Sequence, residues 1–117
     1  MPYLKDNGHG ITKESLKFWK ENRDKIGKVT HVEVAEEGIL IEKRGESGYQ
    51  YPVEYNFVAF GRNGAIFLSG CNCGYLGTGP HGTAKILVEL GLDKNKAERV
   101  IGQKTIHYDA LVNEVKY

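Results

Sequence analysis

"KVTHVEVAEEGILIEKRGESGYQYPVEYNFVAFGRNGAIFLSG", residues 28–70, is where the chain turns from a helical period to an alternating one. Val32 and Val34 fall on one face, His31 and Glu33 on the other, and β-branched and aromatic residues fill much of the remainder. The clusters "EEG", "GESG" and "GRNG" punctuate the run, so the spacing predicts short antiparallel strands near 28–35, 38–44, 49–58 and 64–69. Asn63-Gly64 is the best hairpin signal, because both residues accept positive φ. Pro52 suits an edge or a bulge, since it has no N–H for a central ladder.

The preceding segment, "TKESLKFWKENRDKIGK", reads as a helix capped by Thr12, with Glu14 in its first turn and Gly27 ending it. Leu16, Trp19, Arg23 and Ile26 recur at steps of three and four, giving one apolar stripe with an arginine stem across it. On the far side, "TAKILVELG" puts Ala84, Leu87 and Val88 on one helical face, with Gly91 as the stop. Asp93 then caps a short helix carrying Ala97, Val100 and Ile101, and "KTIHYDALVNEV" reads as a last strand. The expectation is one α+β domain over residues 1–117: an N-terminal helix, a largely antiparallel sheet of about five strands, and two helices before the last strand.

At 117 residues and 13.1 kDa the chain can bury one core. A net charge of +1 lacks the basic excess that favours nucleic acid. No apolar run approaches the ~20 residues of a membrane span, and the opening "MPYLKDNGHG" has no signal-peptide core. The expectation is a cytoplasmic protein without a membrane partner. Two cysteines separated by one residue do not make a disulfide framework, so reduced thiols are expected.

The chemistry concentrates in "SGCNCGYLGTGPHGT", residues 69–83, where five of the fifteen glycines precede a helix. Three readings compete. As an anion cradle, backbone N–H groups and the helix dipole would converge on a phosphate, with Gly77, Thr78, Gly79, His81, Thr83 and Lys85 as the contacts. The phosphate-loop pattern is missed, because Thr83 stands where its lysine belongs. Gly77, Gly79 and Gly82 match the dinucleotide pattern without its βαβ context. As a thiol site, Cys71 or Cys73 would act with His81 as base. As a packed turn, the glycines would let helix and sheet approach, Pro80 would fix the first turn, and Tyr75 and Leu76 would serve as packing residues. Cys-x-Cys with one histidine does not have structural-zinc spacing, so neither a metal nor another cofactor is expected. Tyr49, Tyr51 and Tyr55 alternate along one strand, as a stacking platform or as cross-strand packing.

Gly74, Tyr75, Gly77, Gly79 and Pro80, followed by an apolar helix, a short helix and a strand, resemble a group of small bacterial and phage domains of uncharacterised function. Their loop runs Gly-Tyr-Gly-Gly-x-Gly-Pro. Leu76 departs from it, standing at a glycine position. The likeness covers about the last fifty residues and implies a phage or mobile-element setting, with no activity to carry over. The function expected is binding of a phosphate-bearing or nucleotide-like ligand at the glycine-rich loop. The alternatives are a protein-interaction module using the tyrosine-bearing sheet, and a thiol-dependent enzyme.

Overall fold

The computed structural model describes residues 2–117. Alternation in the 28–70 stretch produces two long antiparallel strands, β2 (Val29–Arg44) and β3 (Gln50–Gly61), after β1 (Tyr3–Lys5) and α1 (Thr12–Asn22). β4 (Gly64–Leu68), α2 (Thr78–Glu89), α3 (Lys94–Val100), β5 (Thr105–Asp109) and β6 (Glu114–Lys116) follow. The class is α+β as expected, with three α-helices on a six-stranded sheet of order β1-β4-β3-β2-β5-β6. Only the β1–β4 pair is parallel.

Several expectations need correction. The chain opens with a strand, not with the helix, and the sheet has six strands rather than five. "YLK" is too short to show a period, and it becomes a strand because β4 offers it a free edge. "EEG" is not a turn: β2 runs through it, and residues 35–38 bulge opposite Asn56. The Asn56 amide donates to the carbonyls of Ala35 and Glu36 at 3.0 Å, while Glu54 Oε1 accepts from Gly38 N–H at 2.9 Å. Side chains therefore satisfy the backbone that the bulge unpairs. The last strand is in fact a hairpin, β5 and β6, whose turn carries Asn113 at φ 53°.

The hairpin at Asn63-Gly64 forms, but its loop is Arg62-Asn63 and none of the three takes positive φ. Gly61 and Gly64 are required by contact. A Cβ on Gly61 would strike the Ile26 carbonyl, and one on Gly64 the Pro2 carbonyl. Pro52 pairs with Glu42 beyond the end of β4, so its missing N–H faces no neighbour. Tyr49 and Tyr51 are exposed, whereas Tyr55 is 1% exposed with its hydroxyl 3.3 Å from the Asp6 carbonyl. The three tyrosines thus do not form one platform.

The helices cover one face of the sheet. Ile11, not Thr12, caps α1, because the Thr12 hydroxyl donates to the Gly70 carbonyl at 2.7 Å instead. Trp19 packs edge-on against Phe57 at 6.1 Å, with Ile26, Val32, Val34, Ile66 and Leu87 around them. A 3₁₀ turn, Arg23–Ile26, follows α1 and ends at Gly27 with φ 73°. Arg23 lies over the Trp19 ring and pairs with Glu89, which also accepts from the Trp19 indole at 3.2 Å. That cation offsets the cost of a carboxylate at the negative end of α2.

Candidate functional site

α2 begins inside the glycine-rich stretch. Gly77 is its N-cap, in extended backbone, and no side chain caps the helix. Pro80 is the third helical residue, where an N–H has no intrahelical partner, so the proline costs no helical bond. The donors that remain in this turn belong to Thr78, which is exposed, and Gly79, which is buried.

The structure divides the expected contact residues into two groups. Gly79 and Thr83 are buried, as is Gly82 beside them. A Cβ on Gly82 would lie 2.6 Å from Thr12 Cγ2 and 3.2 Å from Cys71 Sγ, and one on Gly79 would strike the Asn72 amide. The Thr83 hydroxyl donates to the Asn72 carbonyl at 2.7 Å. These residues dock α2 onto the preceding loop and onto α1. Thr78, His81 and Lys85 are exposed, and Gly77 is half-buried. His81 and Lys85 stand one turn apart, and with Ala84 and Val88 of α2 and Lys94 and Glu98 of α3 they line a groove of about 300 Å³.

Lys94 and Glu98 were not read as site residues because the groove exists only once α3 packs beside α2, and Val88, expected on the apolar face with Ala84 and Leu87, is exposed in the groove instead. Asn72 was missed as well. Its Oδ1 is buried against the first turn of α2 without a hydrogen-bond partner. Tyr75 and Leu76 depart from the packed-turn reading: both are exposed, Leu76 by 81%, at the tip of the loop. Gly74 takes φ 99° and donates to the Ile101 carbonyl at 2.8 Å, a left-handed position that suits glycine.

Both thiols are buried. Burial, with Asp6 nearby, pushes Cys71 up to about 12, and burial, with Glu36 nearby, pushes Cys73 up to about 11. Cys73 Sγ donates to the Lys104 carbonyl at 3.4 Å, and His81 bonds to Gly77 rather than to either sulfur. A protonated thiol out of reach of a base is a poor nucleophile. Native protein is therefore expected to alkylate slowly with iodoacetamide at pH 8 and rapidly once denatured. Rapid labelling of one cysteine in the folded state would contradict this. The native values lie above the ordinary 9.0, so the thiols' contribution to stability is complete below pH 9 and is lost as pH rises toward about 12 and about 11.

Among the described residues, no three histidine, cysteine, aspartate or glutamate side chains group so as to hold a metal ion. No helix among them is long and apolar enough to cross a membrane.

Fold and groove together define a small α+β domain with a cation-bearing surface cleft. No family model, no curated protein and no solved structure matches the chain.

Proposed function

We propose that this is a small binding domain for a phosphate-bearing, nucleotide-like ligand, held along the exposed side of α2. The observation that carries the reading is the groove itself. Ala84 and Val88 supply apolar surface, while Lys85, Lys94 and His81 surround it with one carboxylate, Glu98. The uncapped start of α2 lies on the same helix as His81 and Lys85. An amphipathic anion complements such a surface: its charged group meets the ammonium groups, and its body covers the apolar wall. The resemblance through Gly74, Tyr75, Gly77, Gly79 and Pro80 adds a phage or mobile-element setting to this reading.

Thermal-shift titration with nucleoside phosphates, sugar phosphates and simple anions tests it. A bound ligand stabilises the protein by ~2.7 kcal/mol at a hundredfold excess over Kd. Lys85→Glu removes a charged donor and adds a like charge, so affinity is expected to fall at least about tenfold, given ~1.5–3 kcal/mol for a hydrogen bond to a charged group. Lys85 is exposed, so folding is expected to persist in the variant. A flat panel with wild-type protein would refute the reading.

A second reading, a protein-interaction module, draws on the β2–β3 arm. β5 pairs with β2 only as far as Ala35, and β4 with β3 only from Phe57. Beyond them a two-stranded arm exposes Ile39, Leu40, Tyr49 and Tyr51. Apolar residues clustered on a projecting arm suit a protein surface better than a small anion. Sedimentation that is independent of concentration and of added partners would count against it.

A further inference from the structure

His81 is the one groove residue whose hydrogen-bonding polarity is set by the backbone. Its Nδ1 lies 2.6 Å from the Gly77 carbonyl oxygen, which also accepts from the His81 backbone N–H at 3.1 Å. A carbonyl oxygen accepts and never donates, so Nδ1 carries the proton. Nε2 is then the ring nitrogen left over, and in a neutral imidazole it is an acceptor. The groove is therefore not uniformly suited to anions. Lys85 and Lys94 offer N–H donors to an oxyanion, whereas neutral His81 presents a lone pair, which would repel one.

We propose that His81 is a specificity-determining residue, with Nε2 accepting a hydrogen bond from an O–H or N–H group of the ligand whose phosphate is held by the lysines. This rests on the α2–α3 groove being the binding site, and it narrows the ligand class. The ligand carries a donor beside its anionic group, as a sugar phosphate or nucleoside phosphate does. Sulfate, with acceptors alone, meets only part of the site. His81 is exposed, so its acceptor loses water only when a ligand covers it; a ligand that covers it without offering a donor binds less well, which is how a polar site rejects an analogue that lacks the group.

The test uses sulfate, ribose 5-phosphate and adenosine 5′-monophosphate at pH 8, where all three probes carry two negative charges. Wild-type protein is expected to bind the two phosphate esters at least about tenfold more tightly than sulfate. His81→Asn can keep a donor to the Gly77 carbonyl but has nothing at the Nε2 position. Its preference is expected to fall to within about threefold of unity, with sulfate affinity little changed. His81→Gln, whose amide oxygen reaches the Nε2 position, is expected to retain part of the preference. Histidine ¹⁵N NMR of the ligand-free protein provides a readout independent of binding: the Nδ1–H tautomer supports the inference, and the Nε2–H tautomer overturns it. A preference that persists unchanged in His81→Asn also overturns it, while leaving the groove as a binding site. Failure of every probe, sulfate included, overturns the groove reading and this inference together.

Discussion

Asp6→Ala is expected to destabilise the protein by about 4 kcal/mol, the scale for leaving several buried donors unpaired at once. Asp6 is buried directly after β1, and its carboxylate accepts from Gly8 N–H at 3.0 Å, Ser69 N–H at 2.9 Å and the Ser69 hydroxyl at 2.8 Å. The Ser15 hydroxyl of α1 donates to Oδ2, the oxygen that also accepts from Ser69 N–H. Both hydroxyls are relays: Ser69 Oγ accepts from Gly10 N–H, and Ser15 Oγ accepts from Gly70 N–H. One carboxylate therefore terminates two donor chains that tie the first strand, the 7–10 loop, α1 and the end of β4 together. Alanine leaves those donors buried and unpaired, at ~1–3 kcal/mol for each group that water cannot reach. Asparagine is no remedy, since its NH₂ would face a donor. Urea unfolding of wild type and both variants measures the effect. A loss below about 1 kcal/mol for Asp6→Ala would show that the relays are satisfied by water.

Gly70→Ala is expected to cost about 3 kcal/mol, the upper part of the ordinary overpacking range. An added Cβ would lie 2.5 Å from the Ile11 carbonyl carbon, 2.6 Å from its oxygen and 2.7 Å from Ser15 Oγ. Two of those atoms are backbone at the start of α1, and the third is held in the Asp6 relay, so none yields cheaply. Thermal unfolding checks the prediction, and a neutral substitution would mean that α1 can slide on the loop. The result also bears on the binding experiments. Substitutions at Gly79 or Gly82 test packing as much as ligand contact, because their Cβ positions meet Asn72, Thr12 and Cys71. Lys85 and His81, both exposed, are the sites where lost binding can be separated from lost folding.

The fold class was legible where one face of an element meets the core and the other meets solvent. Val32 and Val34, the Trp19 and Ile26 stripe, and Ala97 with Val100 all show the expected period and are all buried. Asp93 accepts from Lys96 N–H as an N-cap, and Gly91 takes φ 116° just past the end of α2. Local signals failed where a distant segment supplies the partner. Tyr3–Lys5 is a strand because β4 is beside it, and "EEG" stays within β2 because Asn56 and Glu54 satisfy its backbone.

The candidate site was legible by half. The sequence by itself determined that residues 69–83 are glycine-rich and run into a helix, with His81 and Lys85 among the candidate contacts. Period and composition are local properties, and they survive without knowledge of neighbours. Tertiary structure alone decided that Gly79, Gly82 and Thr83 face inward while Thr78, His81 and Lys85 face out, and that α3 brings Lys94 to the same groove. It also decided that Cys71 and Cys73 are buried thiols and that Asp6 is the anchor of the N-terminal segment. A residue type names the bonds a side chain can make; burial and the partners delivered by other elements determine which of them it does make.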